Sequence, residues 1–235
     1  PAVRVGDIAA HAARDCLEQN GLTGQDIDLV IYAGVAREYF EPATAMEVAA
    51  KIGLEQTHAF DVTSACVGQL EGIHVASAFL AMYPHYRNAL VVSGELTRQF
   101  LAYEVQTTEE LEYKLAGLTI GNAASAWLVG QKPYPGGSAR LVGASNYSLP
   151  QHYALCNAPI DGTFTSFSHE LFKLNVHVPP ELARVIAAAG WTVDQVDHYI
   201  FHQPSEFMNE KVLEGLGADP RRGLGTHHVY GNTVS

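Results

Sequence analysis

Residues 27–34 read IDLVIYAG, an almost continuous apolar run that ends at a glycine. A run of this kind is typical of a strand that a parallel sheet buries on both faces. Helical patterns flank it over residues 8–20 and 44–52, and a glycine follows each pattern. The sequence around this run therefore predicts a buried strand between two helices.

The same alternation continues downstream of the run. Strands are predicted at residues 58–62 and 89–93, and the segment between them, 67–82, is small and apolar nearly all round, which predicts a buried helix. Strands that alternate with helices predict an α/β fold with a largely parallel sheet. Two strand-like runs at 124–129 and 139–147, joined by the turn-like KPYPGGS, predict a hairpin at the edge of that sheet.

The βα pattern resumes after residues 149–168, which read as loops. The elements predicted there are a helix interrupted by two prolines, a strand and a second helix, at 169–189, 199–202 and 204–216. No close sequence repeat accompanies the second occurrence of the pattern. We interpret residues 1–150 and 151–235 as two related halves.

Composition bounds the functions that the chain can have. Of its 235 residues, 47% are hydrophobic and 17% are charged, which allows a sizeable core and argues against disorder. The net charge of −11 argues against a nucleic-acid partner, because phosphate contact requires clustered lysine and arginine. No apolar run approaches membrane-spanning length and the first residues resemble no signal peptide, so we expect a cytoplasmic protein without a membrane span.

Three cysteines, Cys16, Cys66 and Cys156, are too few and too scattered for a disulfide framework. None belongs to a CxxC pair, so neither a metal site nor a metal cofactor is expected. Cys16 falls on the apolar face of the first predicted helix and reads as a core residue. Cys66, in DVTSACVGQLEG (61–72), lies between a strand and a helix, where the partial positive charge of the helix start favours a thiolate. A buried core thiol is the alternative interpretation.

Two further stretches place polar side chains beside predicted strands or turns. His202, in IFHQPSEF (200–207), ends the strand predicted at 199–202, and strand ends are where α/β proteins form ligand sites. Asn232 lies in HHVYGNTVS (227–235), where a tight turn would also explain it. Together with Cys66 these residues predict Cys–His–Asn chemistry, although the pattern alone does not reveal whether they meet in space.

The three stretches resemble the ketoacyl-carrier-protein synthase III branch of the thiolase superfamily. In that family the nucleophilic cysteine lies in A-C-x-G, the histidine in H-Q and the asparagine in G-N-T-x-S, and this chain has all three in the same order. Residues 120–124, IGNAA, are similar to the family's glycine-containing strand entry. The resemblance implies the five-layered α-β-α-β-α thiolase fold, with Cys66 in the first half and His202 and Asn232 in the second.

The resemblance also implies an activity. Cys66 would accept an acyl group from a CoA or carrier-protein thioester, and a second acyl thioester would attack it as a carbanion in a Claisen condensation. His202 and Asn232 would donate hydrogen bonds to the enolate-like oxygen. The expected partners are acyl-CoA or acyl carrier protein and a second copy of the chain, and no further cofactor is required.

A finer resemblance concerns residues 37–45, REYFEPATA, which are similar to a stretch in enzymes that join two acyl-CoA molecules head to head. Residues 93–95 and 118–121 resemble the same subgroup. There the glutamate of E-P-x-T-A acts as a base in the partner subunit's active site, and Glu41 is the matching position. A solvated carboxylate before a helix is the alternative interpretation of Glu41.

Some features depart from the family. Its members contain an additional strand and helix before the first residues and a helix, two strands and a glycine-rich loop after Ser235, so this chain is expected to lack terminal elements. In fatty-acid-initiating members an arginine follows H-Q, where this chain has Ser205, Glu206 and Phe207. Two rival functions remain at this stage: a non-condensing acyltransferase that uses Cys66 and His202, and a catalytically incompetent partner subunit that binds acyl chains.

Overall fold

The run at residues 27–34 forms the strand Leu29–Tyr32, which lies inside a four-stranded sheet. The structure is a computed structural model that describes residues 2–99, 101, 104–134, 137–160 and 162–235. None of the four residues of this strand has exposed surface. The continuous apolar run is thus explained by burial on both faces of the sheet.

The described residues form helices and strands in alternation through the first part of the chain. The helices are α1 (Val5–Gln19), α2 (Thr44–Lys51), α3 (Gly68–Met82), α4 (Thr108–Lys114), α5 (Ser168–Leu174), α6 (Val178–Ala188), α7 (Glu206–Leu216) and α8 (His227–Tyr230). The strands are β1 (Leu29–Tyr32), β2 (His58–Asp61), β3 (Asn88–Glu95), β4 (Ala123–Gly130), β5 (Cys156–Asn157) and β6 (Thr165–Ser166).

The chain divides into two compact units. The first contains Pro1–Leu96, Gly121–Ala139 and Thr233–Ser235, and the second contains Thr97–Ile120 and Arg140–Asn232. The residues of each unit are therefore not continuous along the sequence.

The first unit contains a sheet of order β2-β1-β3-β4. Strands β1, β2 and β3 are parallel, whereas β4 runs antiparallel to β3 along its whole length. One core cluster joins α3 to β1 and β3 through Leu29, Ile31, Ala33, Ala76, Leu80, Ala89 and Val91. The largely parallel α/β sheet predicted from the sequence is confirmed.

The hairpin predicted within residues 124–147 is wrong. Its first strand exists as β4, but β4 pairs with β3, and residues 139–147 form no strand. The apolar side chains that prompted the prediction, Leu141, Val142 and Tyr147, are exposed and have no sheet to cover. Residues 135 and 136 of the predicted turn lie outside the described residues.

Helix α3 was predicted to be buried nearly all round, and it is not. Its buried residues form one stripe, Gly68, Gly72, Ala76 and Leu80, whereas Leu70 is 59% exposed. By length and composition alone the segment Ala65–Met82 is apolar enough to cross a membrane, contrary to the expectation that no run approached that length. Its buried stripe packs against β1 and β3, as in the core helix of a globular domain.

The second unit is mostly helical. The predicted helix at 169–189 is split into α5 and α6, and its two prolines occupy the first turn of α6, where a missing N–H has no consequence. The predicted strand at 199–202 is reduced to one bridge between Tyr199 and Gly223. Tyr199 packs with Leu213 of α7 in a small core cluster.

Candidate active site

Cys66 lies in the connection between β2 and α3. A 3₁₀ turn, Ala65–Val67, joins the strand to the helix, and Cys66 is half-buried in it. Ala65 has a backbone φ of +45°, a value that residues other than glycine rarely adopt. A strained residue at a sharp turn between strand and helix is a feature of functional sites, because packing must hold the conformation in place.

Two glycines allow α3 to approach the sheet below Cys66. A Cβ atom on Gly68 would lie 2.1 Å from the carbonyl oxygen of Ala33, at the end of β1. A Cβ atom on Gly72 would lie 2.6 Å from a methyl group of Val91 in β3. The position of Cys66 therefore depends on the absence of side chains at these two places.

Gln69 anchors the first turn of α3 to the strands beside it. Its side-chain amide donates to the hydroxyl oxygens of Ser93 in β3 and Ser125 in β4. Its Oε1 accepts a hydrogen bond of 2.7 Å from the indole of Trp127. The sequence motif alone predicts no such role for Gln69, although Gln69 lies three residues after the predicted nucleophile.

Glu41 lies at the exposed tip of the loop between β1 and α2. The loop is fixed at its far end by Asp61, whose carboxylate accepts from the backbone N–H groups of Thr44 and Ala45 at 2.9 Å each. At its near end Arg37 donates to the hydroxyl of Thr63 at 2.9 Å. Asp61 and Thr63 lie five and three residues before Cys66, so the loop of Glu41 is anchored to the segment that leads to Cys66.

Contacts to the start of α1 hold the middle of the same loop. The carboxylate of Glu38 accepts from the backbone N–H of Val5 at 2.8 Å. Arg4 donates to the Tyr39 hydroxyl at 2.8 Å, and its guanidinium lies 5.1 Å from the centre of the Tyr39 ring. Phe40, next to Glu41, is 80% exposed. The loop thus presents Phe40 and Glu41 from an ordered base.

His202, in the second unit, follows the bridge at Tyr199. Tyr199 exchanges backbone hydrogen bonds with Arg222 and Leu224 at 2.8 and 2.9 Å, and Asn209 of α7 donates to the His202 carbonyl at 3.1 Å. The residue retains exposed surface, but protein atoms crowd its ring, and this desolvation lowers the pKa of His202 to about 4. The imidazole is therefore neutral at pH 7.

Gln203 ties the segment of His202 to the segment that leads to Asn232. Its side chain donates to the Leu224 carbonyl at 2.9 Å and accepts from the Thr226 N–H at 3.0 Å. Its backbone carbonyl accepts from Nδ1 of His227 at 2.9 Å. The H-Q motif contains Gln203 but does not predict this bridging role, because its partners lie more than 20 residues away in sequence.

Backbone contacts to Thr119 and Ile120 hold Asn232 in place. Its N–H donates to the Thr119 carbonyl at 2.9 Å, and it forms a parallel bridge with Ile120. The preceding Gly231 has φ and ψ of 69° and −158°, a conformation that is essentially restricted to glycine. This backbone conformation explains why a glycine precedes Asn232 in the sequence motif.

The structure places the four predicted site residues in pairs. Cys66 and Glu41 belong to the first unit, where Asp61 and Thr63 connect their segments. His202 and Asn232 belong to the second unit, where Gln203 connects their segments. A shared site of all four residues stays a prediction. Among the described residues, no group of three or more histidine, cysteine, aspartate or glutamate side chains is placed to hold a metal ion.

Family comparisons identify the proteins that this chain resembles. Residues 60–147 match the profile of 3-oxoacyl-[acyl-carrier-protein] synthase III, and residues 186–235 match the profile of its C-terminal part. The chain is 31% identical to the beta-ketoacyl-[acyl-carrier-protein] synthase III of Symbiobacterium thermophilum, and the match covers 97% of this chain and 71% of that protein. It is 29% identical to the acyl-CoA:acyl-CoA alkyltransferase of Shewanella oneidensis, covering 99% and 72% respectively.

Solved structures agree with this result. A variant of Xanthomonas campestris OleA with bound lauric acid and lauroyl-CoA superposes with a TM-score of 0.87 at 25% identity, over 99% of this chain and 71% of that one. FabH from Pseudomonas aeruginosa superposes with a TM-score of 0.84 at 23% identity, over 99% and 71%. The thiolase-like fold expected from the sequence is confirmed.

Proposed function

Because this chain belongs to the 3-oxoacyl-[acyl-carrier-protein] synthase III family, we propose that it catalyses Claisen condensation of acyl thioesters through an acyl group carried on Cys66. The observation that carries the proposal is the position of Cys66, at a strained turn before α3 with Gly68 pressed onto β1. In the finer proposal, both substrates are acyl-CoA molecules.

The first half-reaction is the acylation of Cys66. The thiolate attacks the thioester carbonyl of the first acyl-CoA, the carbon–sulfur bond to CoA breaks, and CoA leaves as a thiolate that takes up a proton. The start of α3 directs backbone N–H groups and partial positive charge towards this region, which favours the thiolate form of Cys66.

The second half-reaction forms the carbon–carbon bond. Glu41 removes a proton from the α-carbon of the second acyl-CoA, and the resulting carbanion attacks the acyl carbonyl on Cys66. The bond to sulfur then breaks, which regenerates the thiolate and releases a 3-oxoacyl-CoA. His202 and Asn232 donate hydrogen bonds to the oxygen that becomes negative. A neutral His202, as its lowered pKa indicates, supports the role of an N–H donor.

Glu41 acts in this proposal across the interface of a homodimer. Two observations support it: Glu41 and Phe40 are exposed at the tip of a loop, and contacts from Arg4, Arg37 and Asp61 hold the base of that loop in place. An ordered loop that presents a carboxylate beside an exposed aromatic ring is suited to enter a partner's site. We propose that this dimer is cytoplasmic. Each chain in it would consist of two related halves that join near residue 150.

The region after H-Q supports CoA rather than carrier protein as the donor of the acyl group. In the region where fatty-acid-initiating relatives have an arginine, this chain has Ser205, Glu206 and Phe207, and Glu206 pairs with Nδ1 of His228 at 2.6 Å. The neighbouring His228 holds the pKa of Glu206 below its usual range. A carboxylate in this place does not attract an acidic carrier protein.

Product analysis tests the proposal. The purified protein is incubated with lauroyl-CoA alone and, separately, with lauroyl-CoA and malonyl-CoA. We expect a 3-oxoacyl product from lauroyl-CoA alone, and we expect Glu41→Gln to abolish it while acylation of Cys66 continues. Glu55→Gln, at another exposed glutamate of the first unit, serves as the matched control and should retain activity.

Two results would contradict parts of the proposal. If only malonyl-CoA supports condensation and Glu41→Gln leaves that reaction unchanged, the reaction is decarboxylative, because loss of CO₂ generates the carbanion without a base. If an ester or amide is the only product, the protein is an acyltransferase that does not condense.

A further inference from the structure

Glu95, at the end of β3, is a fully buried carboxylate that the proposed mechanism does not use. Its side chain has no exposed surface. Burial raises the pKa of Glu95, and three hydrogen-bond donors act in the opposite direction. Because a buried carboxylate is costly unless it is hydrogen-bonded, its partners indicate what it does.

The three donors belong to two segments of the first unit. Oε1 accepts from the backbone N–H of Val35 at 2.8 Å and from the hydroxyl of Ser235 at 2.5 Å. Oε2 accepts from the backbone N–H of Ala36 at 3.0 Å. Two of the three bonds therefore go to consecutive residues of the turn that follows β1.

This turn begins after the last backbone hydrogen bond between β1 and β3. Ala33 still donates to the Val92 carbonyl at 2.8 Å, as the last rung of the ladder between β1 and β3. Beyond it, the N–H groups of Val35 and Ala36 bond to Glu95. The carbonyl of Ala36 lies 2.5 Å from the Tyr32 hydroxyl, which also lies 2.7 Å from the Gly94 carbonyl. Side chains thus replace the ladder over Gly34–Ala36.

The segment of Cys66 and the loop of Glu41 are held by different contacts, the first by the sheet and the second by the turn after β1. The segment of Cys66 rests on Ala33, through the contact with Gly68, and Ala33 is held by the sheet. The loop from Arg37 to Glu41 begins directly after Ala36 and takes its starting direction from the turn. Loss of Glu95 would therefore shift the start of the loop of Glu41 relative to its other anchors, while the contact of Ala33 with Gly68 would remain.

We propose that Glu95 is a positioning residue that fixes the turn after β1 and thereby places Glu41 for proton removal. This inference rests on the proposed role of Glu41 as a base. It separates the two half-reactions: Glu95 serves condensation and is dispensable for the acylation of Cys66.

Glu95→Gln is the direct test, because it preserves size and removes one acceptor. The amide has one oxygen for three donors, so its NH₂ group must face either the Ala36 N–H or the Val35 N–H and the Ser235 hydroxyl. Asp28→Asn is the matched control. The Asp28 carboxylate also accepts from two backbone N–H groups, those of Arg87 and Asn88 at 2.6 and 3.1 Å, at the opposite end of the same sheet.

Three quantities are measured for each variant: the rate of Cys66 acylation by lauroyl-CoA, kcat for condensation of two lauroyl-CoA molecules, and Tm. We expect Glu95→Gln to lower kcat for condensation by about a hundredfold, the effect of a displacement of about 1 Å at a reacting group. Its acylation rate should equal that of the unmodified protein. Asp28→Asn should retain both rates even where its Tm falls as far.

If Glu95→Gln does not fold, Tyr32→Phe takes its place, because it removes only the hydroxyl that binds the same turn. It should lower condensation and spare acylation in the same way. Equal losses of both rates, or condensation at the normal rate, would overturn the role of Glu95. Failure of the unmodified protein to condense two acyl-CoA molecules would instead refute the proposed function, so the two failures are distinguishable.

Discussion

Gly68→Ala should displace the candidate nucleophile, Cys66, although it leaves the Cys66 side chain itself unchanged. An alanine Cβ at this position would lie 2.1 Å from the Ala33 carbonyl oxygen. Since carbon and oxygen approach to about 3.3 Å in close contacts, α3 and β1 must separate by about 1.2 Å. The backbone of Ala33 resists this movement because its N–H is bonded to Val92. The start of α3, two residues after Cys66, must move instead.

The expected effects follow from this displacement. Overpacking of a well-packed contact costs about 1–3 kcal/mol of unfolding free energy. A shift of about 1 Å at a reacting group lowers the rate by about a hundredfold. The assay is the rate at which lauroyl-CoA adds one acyl group to the protein, followed by intact-protein mass, with Tm measured in parallel.

Two glycine variants are matched controls. At Gly72, which lies six residues after Cys66 rather than two, the Cβ would lie 2.6 Å from a methyl group of the buried Val91, so Gly72→Ala should lower Tm but slow acylation less than Gly68→Ala does. At Gly143 nothing lies within 4 Å, so Gly143→Ala should change neither quantity. If Gly68→Ala acylates at the normal rate and retains its Tm, the close approach of α3 to β1 does not position Cys66.

Two further predictions concern the second unit. His202→Ala and Asn232→Ala should each slow carbon–carbon bond formation by about a hundredfold or more and leave acylation largely intact, because both are proposed as donors to the developing oxyanion; normal condensation by both variants in a product assay would exclude these roles. The pKa of His202 is about 4, below its ordinary value, so the folded protein binds this proton less readily than the unfolded chain does. The contribution of His202 to stability should therefore be present above its ordinary pKa near 6.5 and be lost as the pH falls from 6.5 towards 4. In His202→Gln, which cannot bind this proton, Tm should decline less steeply between pH 6.5 and pH 4. If the slope of Tm against pH is the same in the variant and the unmodified protein, the pKa of His202 is not lowered.

The sequence predicted those elements whose pattern is set by local burial. The run of β1 is apolar because both faces of the strand are covered, and α1 and α2 end close to the glycines that follow their amphipathic patterns. The start of α1 was predicted less well, since the helix begins at Val5 and not at residue 8. The strand predicted at 139–147 failed for the opposite reason. Its apolar residues suit a strand, but a strand also needs a partner, and β4, the partner that the sequence predicted, pairs with β3 and not with residues 139–147.

The candidate site was predictable as residue types and not as contacts. The motifs around Cys66, His202 and Asn232 identified candidates, and the family comparisons confirm the resemblance on which their roles depend. The contacts of Gln69, Glu95 and Gln203 were not predicted, because their partners lie far away in sequence. A signal for Glu95 existed, since a carboxylate at the end of the apolar strand β3 must find buried donors.

Acylation of Cys66 is the step on which every part of the mechanism depends, and intact-protein mass measures it directly. After exposure to lauroyl-CoA the protein should gain the mass of one lauroyl group, and so should Cys16→Ala and Cys156→Ala. Cys66→Ala should gain none. Undiminished labelling of Cys66→Ala, or no labelling of the unmodified protein, would contradict the account.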